Sequence, residues 1–181
     1  SLLNSRRLLA AHGLDLAVDE EACREEIAGR RARAGGYGRP DGSGPTAYAT
    51  FLAALSLSLL GESLPDAERA TAALLALQQP DGGFAQEVGG SSQTNSTSAA
   101  VGVLLLENAL PTEAATRARD YLATRQDVSG GFSSHGGLPA DLLCTFTALM
   151  TLVFLDGLDR IDAAGVARFV KSCARAAGGF G

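Results

Sequence analysis

The feature that most constrains this chain is a glycine-glycine-aromatic triplet that recurs at almost constant spacing. The triplets lie at 35–37, 82–84, 130–132 and 178–180, so that successive first glycines stand 47, 48 and 48 residues apart. We call each triplet a corner. A period of this length is typical of stacked supersecondary units, in which each unit buries its apolar face only against its neighbours.

Two helical segments of different character separate successive corners. The segment after a corner is almost free of charge, as in TNSTSAAVGVLLL, and this is typical of an inner helix that is covered on most sides. The segment before a corner is amphipathic and charged, as in EAATRARDYLATRQ, and this indicates an outer helix with one buried stripe. We predict inner helices over 46–60, 94–107 and 141–156, and outer helices over 66–79, 113–126 and 162–175. Residues 1–34 are predicted to hold a further inner helix (LLNSRRLLAA) and an outer one over about 20–33.

The corners are expected to lie at one end of the assembly. We predict that each glycine pair ends an outer helix, because a left-handed glycine stops a helix without a Cβ penalty. The aromatic residue is expected to plug the gap between neighbouring helix pairs. A column of threonines, Thr50, Thr97 and Thr145, stands 15 residues after each first glycine, and we assign it to backbone hydrogen bonding or helix packing, not to catalysis.

Composition excludes several classes of function. The net charge of −5 provides no basic field for nucleic acid or anionic membrane, and the longest uncharged run is interrupted by Gly, Pro and Ser, so we predict no membrane span. Three unclustered cysteines, Cys23, Cys144 and Cys173, exclude a disulfide framework and indicate a reducing compartment. We therefore predict a cytoplasmic location.

The segments LQQPDGGF, TRQDVSGGF and CARAAGGFG, together with the inner helices that carry threonine, resemble the α/α-toroid repeat family. That family includes the β subunits of protein farnesyl- and geranylgeranyltransferases and the squalene and oxidosqualene cyclases. The resemblance implies an all-α fold, an α/α toroid in which inner and outer helices alternate around a central cavity. About six helix pairs close the ring in this family, so the resemblance implies that residues 1–181 form one toroid domain that is an incomplete ring.

The catalytic signatures that this resemblance implies are not matched. Protein prenyltransferases hold a zinc ion with an Asp-x-Cys at one inner-helix start and with a His, in an Asp-x-x-His-Thr setting, in the next repeat. Here the first place reads Gln93-Thr94-Asn95, and Cys144 stands where the His is expected. Amides are poor zinc ligands beside thiolate, imidazole and carboxylate. We therefore predict no metal site and no cofactor. The Asp-x-Asp-Asp acid of the cyclases does not occur in the sequence either.

Two residues of the third inner helix are candidates for catalysis. Asp141 and Cys144 lie one turn apart on the same helix face. The alternative is structural: Asp141 caps the helix, and Cys144 is a small packed residue like Ala49 and Ser96 at the equivalent positions.

Two corner loops supply candidates for ligand binding. Arg39 and His135 follow the first and third corners, where they would meet a diphosphate together with inner-helix N-termini, which favour anions. The alternative for His135 is a solvated loop residue.

Three interpretations of function stay open. The first is a toroid related to prenyltransferases (transferases) or terpene cyclases, which handles an isoprenoid or other apolar small molecule in its cavity. The second is a non-catalytic toroid that binds protein or lipid, and the third is a structural helical scaffold. The ends of an open ring also predict a partner subunit or self-association, because residues such as Leu142, Phe146, Met150 and Phe154 would lack neighbours.

Overall fold

A computed structural model describes residues 9–14, 17–39, 44–175 and 178–180. The predicted first inner helix lies largely outside these residues. The helices are α1 (Glu20–Gly29), α2 (Ala47–Leu59), α3 (Ala67–Leu75), α4 (Thr94–Leu106), α5 (Thr112–Ala123), α6 (Leu142–Phe154) and α7 (Ala163–Ser172). The predicted all-α alternation of inner helices (α2, α4, α6) and outer helices (α1, α3, α5, α7) is confirmed.

Two of the three inner helices, α2 and α6, begin where a polar side chain replaces the missing intrahelical bonds, whereas Gln93 before α4 makes no such bond. Thr46 precedes α2 and its side chain accepts a hydrogen bond from the amide of Ala49 at 3.1 Å. Asp141 precedes α6 and its carboxylate accepts from the amide of Cys144 at 2.7 Å. Such caps satisfy backbone donors that a first helical turn leaves free. Each inner helix lies within two residues of its predicted bounds.

The glycine pairs do not end the outer helices, and this part of the prediction was wrong. Helix α3 ends at Leu75, seven residues before Gly82. The intervening chain turns back on itself, and Gln78 pairs with Phe84 in an antiparallel bridge. Gly82, with a φ of 93°, lies at the tip of this loop. The same closure recurs as Arg31 with Tyr37, Gln126 with Phe132 and Ala174 with Phe180.

The threonine column holds each corner to the inner helix that follows it. The Thr97 hydroxyl accepts a hydrogen bond from the backbone amide of Phe84 at 2.8 Å and donates to the carbonyl of Gln93 at 2.7 Å. Thr50 and Thr145 accept from the amides of Tyr37 and Phe132 in the same way, at 3.0 and 2.9 Å. The predicted backbone bonding is confirmed, and the hydroxyl also satisfies a buried amide.

Each of the first three corners also packs against the outer helix of the next unit. A Cβ on Gly82 would overlap the carbonyl oxygen of Arg117 in α5, so only glycine allows this approach. The side-chain amide of Gln78 donates to the carbonyls of Gly82 and Ala114, both at 3.0 Å, and so joins the corner to the start of α5. Gln126 repeats this bridge one unit later.

Successive corners lie side by side at one end of the assembly. The amide of Ala47, the first residue of α2, donates to the carbonyl of Gln86 just past the second corner. Likewise the amide of Thr94, the first residue of α4, donates to the carbonyl of Ser134 just past the third. The first three corners therefore share one end, as predicted. A two-stranded ribbon, β1 (Phe132–Ser133) with β2 (Ala140–Asp141), forms within the third corner loop.

The corner aromatics occupy the core wherever another unit follows. Tyr37, Phe84 and Phe132 are at most 2% exposed, which confirms their predicted role as plugs. Phe180, the aromatic of the fourth corner, is 60% exposed. Among the described residues, no helix has both the length and the apolar character needed to cross a membrane.

Candidate functional site

The middle inner helix shows which face of the fold lines the interior. Helix α4 packs against α2 and α6 on its two sides and against α3 and α5 behind. The residues of α4 that stay partly accessible or exposed are those that these four neighbours cover least. They are Asn95, Ser98, Gly102, Leu105 and Leu106. We call the surface that these positions define, with their equivalents in α2 and α6, the inner face.

Large side chains flank the small or polar part of this surface, Asn95, Ser98 and Gly102, on both sides. On α6 the equivalent residues are exposed and apolar: Leu143, Phe146, Met150, Val153 and Phe154. On α2 the equivalents include the exposed Tyr48 and the half-buried Phe51 and Leu55. The Phe51 ring lies so close to Gly102 that an added Cβ there would be 3.1 Å from Cε2. By the alignment of the units, the inner face carries small or polar residues on α4 between larger, mostly apolar side chains on α2 and α6, and we call this surface the trough.

No charged residue or histidine occurs in α2, α4 or α6. Three of the four residues expected to lack neighbours, Phe146, Met150 and Phe154, are exposed, whereas Leu142 is partly buried. Their positions on the inner face account for this exposure, in addition to any open end of the ring. The surface suits the uncharged part of an apolar ligand.

Asp141 and Cys144 are brought together at the start of α6, as the sequence predicted. The Asp141 carboxylate accepts from the Cys144 amide at 2.7 Å, so it serves as a helix cap. Cys144 is 1% exposed, and burial, together with the hydrogen bond and charge of Asp141, raises the pKa of its thiol to about 12. The thiol is therefore protonated at neutral pH, which disfavours it as a nucleophile.

The neighbouring inner helix places an amide beside this thiol. The side chain of Asn95 interacts with Cys144, and its Oδ1 accepts a hydrogen bond from the Thr147 hydroxyl at 2.8 Å. Gln93 lies at 3.5 Å from the Ser96 hydroxyl through its Oε1. Of the positions at which the resemblance places zinc ligands, 95 and 144 lie near each other, with an amide and a thiol in place of the expected set.

The residues present do not fit a zinc ion. Structural and catalytic zinc sites use three or four thiolate, imidazole or carboxylate ligands. Within the described part of the chain, no three side chains of these types are grouped so that they could hold a metal. Asp141 and Cys144 are two such groups, and the neighbouring positions 93 and 95 carry amides. We derive no chemistry through zinc.

Arg39 lies at a cavity that adjoins the inner face, since Tyr48 belongs to both. This cavity of about 640 Å³ lies between α1 and α2, and Arg39, Arg30, Tyr48 and Leu52 are among its lining residues. Arg39 itself is exposed. His135 does not line this cavity, so Arg39 and His135 do not share it as one anion site.

His135 is half-buried in the third corner loop. Its Nδ1 atom is buried and has no hydrogen-bond partner among the described residues. The prediction of a freely solvated loop histidine therefore does not describe its environment.

The sequence analysis did not predict that α4 contributes small or polar residues to the inner face. Asn95 was considered as a missing zinc ligand, but its contact with Thr147 and the strip formed with Ser98 and Gly102 were not predicted. The signal was available in the aligned units, because these three positions are small or polar where α2 and α6 carry large apolar residues.

Comparison with known proteins identifies the family. The model of the prenyltransferase α-α toroid domain matches residues 2–138 and 99–181, and these two matches together span nearly the whole chain. The chain therefore belongs to the prenyltransferase α-α toroid family.

A solved structure has the same fold. Candida albicans protein geranylgeranyltransferase-I complexed with GGPP superposes with a TM-score of 0.67 at 18% sequence identity. The match covers 80% of this chain and 47% of that one. The chain thus spans about half the length of this structural relative, and at this identity the likeness concerns the fold.

Proposed function

We propose that this chain supplies part of the wall of a toroid cavity, and that its inner face holds an isoprenoid or similar apolar chain. The observation that carries this proposal is the trough: Phe146, Met150 and Tyr48 are exposed at positions aligned with the small or polar residues of α4. A continuous surface of exposed aromatic and aliphatic groups favours an apolar ligand.

Family and fold support the same class of ligand. The chain belongs to the prenyltransferase toroid family, and its structural relative is complexed with GGPP, a ligand with a long apolar chain. Fold alone does not define activity, so the trough carries the argument. Because α2, α4 and α6 carry no charged residue or histidine, this wall is proposed to contact the hydrocarbon part of the ligand, while any anionic group lies elsewhere.

A binding measurement tests the proposal. The purified chain is titrated with geranylgeraniol, which is uncharged, and with geranylgeranyl diphosphate. Binding is measured by isothermal titration calorimetry, because the chain has no tryptophan to report it by fluorescence. Both ligands are expected to bind with a negative heat-capacity change, the signature of apolar burial. Phe146→Ser removes a large ring from the wall and is expected to weaken binding about tenfold. Failure of both ligands to bind would contradict the proposal.

A matched control distinguishes the trough from general surface hydrophobicity. Val128 is an exposed apolar residue of the third corner loop, outside the inner face. Val128→Ser should leave binding unchanged. Equal effects of Phe146→Ser and Val128→Ser would show that the ligand adsorbs nonspecifically.

A second candidate function is a non-catalytic toroid that binds an apolar segment of a protein or a lipid. The observation that favours it is the state of the two catalytic candidates: Asp141 is engaged as a cap and Cys144 is buried and protonated. Release of pyrophosphate from geranylgeranyl diphosphate in the presence of an acceptor thiol peptide would favour the transferase. Binding without turnover would favour the non-catalytic function.

The proposed location is the cytoplasm. Cys23, Cys144 and Cys173 are free thiols, and free thiols persist in reducing compartments. A partner subunit, or a second copy of this chain, is proposed to cover the exposed apolar side chains that the ligand does not reach.

A further inference from the structure

A polar cluster joins α4 to α6 near their N-termini. The Thr147 hydroxyl on α6 donates to Oδ1 of Asn95 on α4 at 2.8 Å, although the two residues are 52 positions apart. The Asn95 side chain also interacts with the Cys144 thiol, as does Ser134. We call Asn95, Thr147, Cys144 and Ser134 the Asn95 cluster.

We propose that the Asn95 cluster is a metal-free clasp, in which the neutral hydrogen bond from Thr147 to Asn95 holds two inner helices together at the place where the family resemblance implies a zinc ion. This proposal concerns the chain's own contacts. It stands whether or not the inner face binds an isoprenoid.

The chemistry of the donors supports a clasp. Oδ1 of Asn95, the amide atom that would have to face a metal ion, already accepts from Thr147, and the nearest carboxylate, Asp141, already caps α6. Amide, hydroxyl and thiol can satisfy one another without any net charge. An ion, in contrast, would need partners that positions 93 and 95 do not supply.

The location of the cluster supports the same conclusion. Cys144 is buried and Asn95 and Thr147 are partly buried, so the hydrogen bond between Asn95 and Thr147 is partly shielded from competing water. A hydrogen bond in a poorly solvated setting is stronger than one at the surface. The Asn95 cluster therefore fixes the spacing of α4 and α6, and with it the width of the trough.

The first experiment measures zinc directly. The untagged chain is equilibrated with excess zinc sulfate, passed through a desalting column and assayed by mass spectrometry of the metal. The expected result is no zinc above the protein-free blank, with an unfolding temperature that chelator does not change. One zinc per chain, lost in Cys144→Ser, would overturn the proposal.

The second experiment tests the clasp by a double-mutant cycle on unfolding temperature. Asn95→Ala and Thr147→Val are each expected to lower the unfolding temperature. The decrease in the double variant should be clearly smaller than the sum of the two single decreases. Thr151→Val is the matched control, because the Thr151 hydroxyl bonds only back to the carbonyl of Thr147 within α6. The decreases caused by Thr151→Val and Asn95→Ala should be additive in the double variant.

The outcomes separate this proposal from the proposed function. Additive effects of Asn95→Ala and Thr147→Val would show that the contact does not hold the helices, and would refute the clasp. A non-additive cycle with no zinc would support the clasp even if neither geranylgeraniol nor its diphosphate binds.

Discussion

Replacing Thr97 by valine tests how the corners are held. Thr97 and Phe84 are both fully buried, and the Thr97 hydroxyl accepts the hydrogen bond of the Phe84 amide at 2.8 Å. Valine has nearly the same shape, so Thr97→Val leaves no large cavity. The Gln93 carbonyl keeps its bond from the Thr97 backbone amide at 2.9 Å. The main consequence is a buried Phe84 amide without an acceptor.

The expected cost follows from that single unpaired donor. Leaving a buried donor unsatisfied costs about 1–3 kcal/mol, and the added methyl group offsets less than about 1 kcal/mol of this. We expect Thr97→Val to reduce the free energy of unfolding by about 2 kcal/mol, which corresponds to a fall in Tm of about 4–8 °C for a chain of this size.

Thr71→Val is the matched control. Thr71 is also buried and helical, but its hydroxyl donates to the carbonyls of Ala67 and Glu68 and, among the described residues, accepts no hydrogen bond. Its loss is expected to change stability by less than about 0.5 kcal/mol. Urea unfolding followed by circular dichroism gives both values, and hydrogen exchange reports the Phe84 amide. Equal costs for Thr97→Val and Thr71→Val, with unchanged Phe84 exchange, would refute the role assigned to the threonine column.

Three further predictions follow from the geometry. Gly82→Ala should lower the free energy of unfolding, measured in urea, by more than Gly178→Ala. Both glycines have φ above 90°, so alanine at either position is strained by about 1–2 kcal/mol. Only a Cβ at Gly82 meets a neighbouring helix, which adds about 1–3 kcal/mol. Asp141→Ala should cost about 1 kcal/mol and Asp141→Asn only a few tenths, because asparagine also caps helices; equal losses would contradict the capping role. The free energy of unfolding should fall as the pH rises from about 9 to about 12. Folding raises the pKa of the Cys144 thiol from its ordinary 9.0 to about 12. The unfolded state therefore binds fewer protons than the folded state in this pH range. Cys144→Ser should reduce this fall in a series of Tm measurements against pH, and an unchanged profile would show that the thiol does not contribute.

The trough shows why the site was harder to predict than the fold. The apolar character of α4 and α6 is visible in the sequence, but the exposed side of each helix is not. Phe146 and Met150 were predicted to be exposed because the ring was expected to be open, whereas their aligned positions place them on the inner face. Which side of an all-apolar helix stays uncovered depends on where its neighbours pack, and periodicity cannot report this when every side is apolar.

The corner illustrates the same limit at the level of the backbone. Repetition of the triplet indicated that the glycines are required, but helix termination was the wrong reason. Gly82 is required because the carbonyl of Arg117, 35 residues later, leaves no space for a Cβ. Such a contact depends on how two units stack, and nothing local to Gly82 reveals it.

By itself, the sequence determined the repeat, its period, the alternation of inner and outer helices and the family, because each of these follows from local patterns that recur along the chain. Only the tertiary structure decided which side of the inner helices forms the trough, that Asn95 meets Thr147, and that each threonine holds a corner amide. These are contacts between residues 13 to 52 positions apart. Their geometry is set by the packing of whole helices, since the chain between them fixes only how far apart they can lie, not whether they meet.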